Sequence, residues 1–190
     1  MIEATTTEIV IESSKVFLQS IVKPVLDEVG GLLADQVKFW RFKNQIKMLE
    51  QSETLLKDKG IKIKETPIKL LVPLLEGAGM EEDEDMQDKW ARLFANTVKE
   101  NSEIETTIYS YILSQMTSAD AEVMNYFYNE RLSPLHLKDL VELDNRNAII
   151  VDNLMRLRLI KDLKTHSLTA NVFIISDLGV SFMKVCSEVN

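Results

Sequence analysis

Pro73-Leu-Leu-Glu-Gly-Ala-Gly-Met-Glu-Glu-Asp-Glu-Asp-Met-Gln-Asp-Lys-Trp-Ala-Arg-Leu-Phe-Ala-Asn96 is the stretch on which the reading of the fold turns. Its second half places Met86, Trp90, Leu93, Phe94 and Thr97 at i, i+4, i+7, i+8 and i+11, the ladder of a helix with one buried stripe. Glu81 to Asp85 fall before and within the first turns of that helix, where unpaired N–H groups and the positive end of the macrodipole favour carboxylates. A calcium loop would need alternating oxygen ligands and a glycine at its sharp turn. Asp83 and Asp85 alternate, but no glycine occurs at the required place. The acidic run therefore reads as a helix start and a solvated face.

Upstream, a long helix is expected over Leu32 to Lys59, closed by Gly60. Phe39, Phe42, Ile46 and Leu49 would form its main stripe, with Leu33, Val37 and Trp40 beside it. Lys38, Arg41, Lys43 and Lys47 take the remaining faces, their stems able to snorkel over the core. Before it, Phe17, Ile21, Val25 and Val29 mark a first helix that Pro24 kinks or restarts. Ile61 to Glu65 reads as an extended linker ending at Thr66-Pro67, and Pro67 suits the start of a short helix over Ile68 to Glu76. Pro73 predicts a kink in that helix, and Gly77 and Gly79 punctuate the chain between it and the acidic helix. Downstream, Ile104 to Met116 is expected to be helical, with Ile108, Ile112, Leu113 and Met116 inward. Thr117-Ser-Ala-Asp120 has the form of a capping box, with Thr117 as N-cap.

The last seventy residues change rhythm. Ala121, Met124, Phe127 and Tyr128 mark one helix, and Ser133-Pro134 starts a second that turns Leu137, Leu140 and Val141 inward. Asp144 to Asn147 reads as a turn. A third helix, Ala148 to Arg158, buries Ile150, Leu154 and Leu157. Leu159 to Leu163 and Val172 to Ile175 read as two strands around a polar turn. A closing helix carries Leu178, Phe182, Val185, Cys186 and Val189 on one stripe. The expected fold is mainly α: an N-terminal helical bundle over residues 1–117, then a winged-helix-like domain with a short β-hairpin over 118–190.

Several of these segments share a further property. Pro-Leu-Leu-Glu-x-Ala, the acidic patch and Trp-Ala-x-Leu-x-Ala-Asn, together with Trp40-Arg-Phe-Lys-Asn44 and Ile108-Tyr-Ser-Tyr-Ile-Leu-Ser-Gln-Met116, resemble the Abi-alpha (abortive infection alpha) family of bacteria. The resemblance implies a role in phage exclusion. Composition, periodicity and spacing do not speak to phage defence.

Totals bound the remaining choices. Six glycines and four prolines among 190 residues favour long elements. The single cysteine rules out an internal disulfide framework and suits a reducing cytoplasm. Neither a signal peptide nor an apolar run of spanning length is visible. The net charge of −8 opposes general binding to nucleic acid or anionic lipid. Lys38 to Lys69 nevertheless carries nine basic residues against four acidic ones, so this segment should attract the acidic one after it.

No catalytic constellation is legible. His136 and His166 lack partners at ligand spacing, Cys186 falls on a buried-looking stripe, and no phosphate loop occurs. Catalytic, metal and cofactor-binding residues are therefore expected to be absent, and no small-molecule substrate is implied. A protein partner or self-association is expected. Nucleic acid is a second candidate, through the third helix and wing: Arg146, Asn147, Arg156, Arg158, Lys161 and Lys164, with Asp144, Asp152 and Asp162 interspersed. A membrane surface is a third, less favoured one, through Lys38, Trp40, Arg41 and Lys43.

Overall fold

In a computed structural model, the structure describes residues 16–17, 20, 36–129, 135–136, 145–162 and 172–189; for 36–38, 135–136, 145–147 and 172 this concerns the backbone alone. The fold is mainly helical with one small antiparallel sheet. The chain forms two compact units, Met1–Ser114 with Cys186–Asn190, and Gln115–Val185.

The first unit is built around helix α3, Glu84–Val98. Asp83 is its N-cap, and the Asp83 carboxylate accepts from the Met86 N–H at 3.0 Å. Glu84 and Asp85 occupy its first turn, as the acidic run implies. Met86, Trp90, Leu93, Phe94 and Thr97 are all buried. Burial extends further, to Gln87, Ala91, Ala95, Asn96 and Val98. Phe17 lies against Phe94 with ring centroids 6.2 Å apart.

Helices α1, Gln36–Asp58, and α2, Ile68–Gly79, pack on α3 and on each other. The inward face of α1 carries Ile46, Met48, Leu49, Ser52 and Leu56. Phe39, expected on that face, is 53% exposed, and Trp40 is half-buried. The Ser52 hydroxyl donates to the carbonyls of Met48 and Ala91, so a small polar residue holds α1 close to α3. The basic segment meets the acidic one through a single ion pair among the described residues, Lys47 with Glu84 at 3.2 Å, on an exposed surface. Helix α2 runs unbroken through Pro73 and on through Gly77 to Gly79, past the expected stop at Glu76. These glycines are not punctuation. A Cβ at Gly77 would overlap the Trp90 ring, so the missing side chain makes room for the indole.

The end of α2 is held by side-chain amides. Gln45 donates to the Leu75 carbonyl, Asn44 to those of Gly79 and Glu81, and Gln87 to those of Ala78 and Glu81. The bonds to Ala78 and Gly79 fall on carbonyls of the last turn, which a helix end leaves short of partners. Residues 61–67 form no helix, and Ile63 bridges Lys99 in antiparallel fashion. Helix α4 is shorter than expected, Ile108–Ser114, because residues 102–106 carry no regular secondary structure. Ile112, Leu113 and Met116 are buried, but Ile108 is exposed.

In the second unit, α5, Ser118–Asn129, opens with the expected capping box. The Thr117 N–H donates to Asp120 Oδ2 at 2.8 Å, and the Asp120 N–H donates to Thr117 Oγ1 at 3.3 Å. Strand β1 is Leu135–His136, where the sequence suggests the first turn of a helix. The rest of that expected helix, 137–141, lies outside the described residues. Helix α6, Asn145–Arg156, begins earlier than its apolar ladder implies, taking in part of the expected turn. It buries Val151 and Leu154, and Leu157 just beyond its end. Strands β2, Ile160–Asp162, and β3, Val172–Ile175, pair Ile160 with Ile175 and Asp162 with Phe173. With β1 on the other side of β3, the sheet order is β1-β3-β2. Helix α7, Asp177–Ser187, buries Phe182, Met183 and Cys186. Val189 is buried beyond its end. Residues 186–190 belong to the first unit, where the Ser187 and Glu188 carbonyls accept from Arg92 and Asn96 of α3.

Candidate functional site

The expected contact residues cluster in sequence around the end of α6. Arg156, Arg158 and Lys161 are exposed. Arg146 and Asn147 stand in the first turn of α6, where the backbone alone is described, and Lys164 lies outside the described residues. Asp152 is exposed on the same helix, and Asp162 is half-buried.

The local chemistry at this end is specific. The Leu159 N–H donates to the Leu154 carbonyl and the Arg158 N–H to that of Met155, the paired bonds of a Schellman ending. That ending places Arg158 in the left-handed region at φ 61°. Arg158 is the one described non-glycine residue with positive φ. The strain is held in place: the Ser176 hydroxyl donates to the Arg158 carbonyl at 2.6 Å, and the Ser176 N–H donates to that of Leu159. The same hydroxyl accepts from the Gly179 N–H, which caps α7.

Arg156 is also tied. Its Nε and Nη2 donate to Asn153 Oδ1 at 3.2 and 2.8 Å. Asn153 Nδ2 donates in turn to Asp120 Oδ1 at 3.1 Å and to the Gln115 carbonyl at 3.2 Å. The buried capping carboxylate therefore orients an exposed guanidinium through one amide. Sequence reading finds Arg156 but misses Asn153; its link to Asp120 spans 33 residues and has no local signal.

The aromatic and basic face of α1 is less uniform. Lys43 is exposed, Trp40 and Arg41 are half-buried, and Lys38 is described through its backbone alone. Among the described residues, no helix is long and apolar enough to cross a membrane. No group of three or more His, Cys, Asp or Glu that could hold a metal ion occurs among them.

An open groove of about 560 Å³ lies in the first unit between residues 64–70 and 104–107. Its lysines, Lys64 and Lys69, are matched by Glu65 and Glu105, so it has no charge preference. Lys64 Nζ is already spent on the Ser102 carbonyl at 2.8 Å. Cys186 is sealed in the interior, and burial pushes its thiol up to about 12, only partly offset by Lys89. At neutral pH it is a protonated packing group, not a nucleophile.

Neither the curated proteins nor the solved structures compared with this chain give a match. The model of one family, described as abortive infection alpha, matches residues 36–186, which include both the α1–α4 helices and the sheet with its flanking helices. The chain belongs to the Abi-alpha family.

Proposed function

We propose that this protein limits phage propagation as a non-enzymatic interaction module acting in the cytoplasm. The family match carries the phage-defence part of this reading. The interaction part is supported by where exposed, oriented side chains concentrate. Arg156 is oriented at the surface by its bonds to Asn153, and Arg158 is exposed on a backbone corner that Ser176 fixes. A sealed, protonated Cys186 supports the non-enzymatic part. The β1-β3-β2 sheet, with β1 before α6 and the β2–β3 pair between α6 and α7 in the chain, supports a winged-helix reading of the second unit.

The test is phage plating on cells with and without the protein, over a diverse panel, with survival scored at high multiplicity. Fewer plaques together with death of infected cells is the expected result. Unchanged plating across the panel would sink the reading.

A nucleic-acid reading is favoured by one observation. Arg158 keeps a long cationic side chain at a position where glycine costs nothing, and strain of this kind concentrates at functional sites. Exposed Asp152 repels phosphate on the same helix. Duplex binding that falls steeply with added salt, and weakens with Arg158→Ala, would establish it. Salt-insensitive association with a protein would exclude it.

A further inference from the structure

Helix α6 has an outer face with large apolar residues exposed among the described residues. Ile149 is 72% exposed and Met155 37%, while Val151 and Leu154 face inward. Asp152 and Arg156 lie between and beside them, both exposed. An acid followed four residues later by a base is the favoured arrangement for an ion pair along one helix. No such pair forms here among the described residues. Arg156 turns instead to Asn153, which Asp120 and Gln115 hold in place. The two charges are thus kept apart, and part of the rotamer freedom of Arg156 is already surrendered before any partner arrives.

We propose that this face pairs with the same face of a second copy, the two α6 helices running antiparallel about a twofold axis. The proposal rests on the reading of the protein as an interaction module and names its partner. Antiparallel pairing matches the charges twice, Asp152 of each copy meeting Arg156 of the other. Met155 lies near the axis and meets its counterpart, and Ile149 reaches over the end of the opposite helix. A self-complementary patch with one acid and one base is what an isologous twofold contact requires. One helix pair buries less than the roughly 1,200 Å² of a standard interface, so the dimer is weak and forms reversibly. Apolar exposure and charge complementarity together favour this occupant over nucleic acid, which Asp152 would oppose.

Sedimentation velocity across a concentration series tests it. The wild-type chain shows a reversible monomer–dimer equilibrium, and Ile149→Asp shifts it toward monomer. Asp152→Arg and Arg156→Asp each set like charges opposite one another and are monomeric alone. Mixed in equal amounts, they regain opposite charges at both contacts, and native mass spectrometry detects the heterodimer. Recovery on mixing also establishes that both variants are folded. A wild-type chain that stays monomeric throughout, or a mixture that fails to recover, overturns the pairing. A monomer whose phage restriction is lost with Ile149→Asp would assign the face to a different protein and overturn it too. A monomeric wild type that still restricts phage leaves the module reading standing. A dimer without any effect on phage does the reverse.

Discussion

Helices α1 and α6 end in the same way and differ in the residue that turns the chain. After α1, the Ile61 N–H donates to the Leu56 carbonyl and the Gly60 N–H to that of Lys57. After α6, Leu159 and Arg158 repeat both bonds onto Leu154 and Met155. The turning residue has φ 62° at Gly60 and 61° at Arg158. Glycine adopts this backbone freely, whereas a side chain there costs about 1–2 kcal/mol. The first ending is a plain stop. The second accepts a cost to keep a guanidinium where the second unit is exposed. Identical hydrogen bonds can therefore close a corner that glycine turns freely or one that arginine turns at a cost.

Substitutions at glycines separate the two causes that make glycine necessary. Gly77→Ala has the largest expected effect, because its Cβ overlaps the rigid Trp90 ring in a filled core; overpacking of this kind costs about 1–3 kcal/mol. Urea denaturation with an unchanged m-value would measure it. At Gly60 an added Cβ meets no atom, so Gly60→Ala sets backbone strain against the reduced freedom of the unfolded chain, a net loss of about 0.5–1 kcal/mol by the same method. A loss near zero there would break the comparison. Arg158→Gly should act in the opposite direction. It relieves the strain but frees the unfolded chain, leaving a gain of about 0.5 kcal/mol in thermal melts of the full chain. A destabilised Arg158→Gly would mean that the arginine side chain holds the fold after all. Gly60→Asn gives the smallest change, a few tenths of a kcal/mol, since asparagine tolerates this conformation.

What the sequence makes legible depends on range. The α3 ladder is local, and every residue assigned to it from Met86 to Thr97 is buried. The capping box at Thr117 is equally local and forms as its spacing implies. The α1 face is harder to read because its sequence offers two apolar stripes, and the buried one includes Ser52, whose hydroxyl bonds across to the partner helix. Gly77 misleads for a related reason: its role depends on Trp90, which no local pattern connects to it. At the candidate site, the exposure of Arg156 accords with helical spacing. Its orientation is not local, because it passes through Asn153 to a carboxylate in another helix. The strain at Arg158 has no signal in the sequence either, since arginine is not a residue that announces a left-handed turn.

The sealed thiol of Cys186 makes the molecule its own stopwatch. It is the chain's single cysteine, and in the folded state it stays protonated to about pH 12 and out of reach of solvent. A maleimide at pH 8 can react only when the last turn of α7 swings away from its surroundings. With reagent in excess the labelling rate becomes the opening rate, a property read from one atom without adding a probe. Run with and without infecting phage extract, that clock would register whether a trigger loosens the C-terminal turn or locks it.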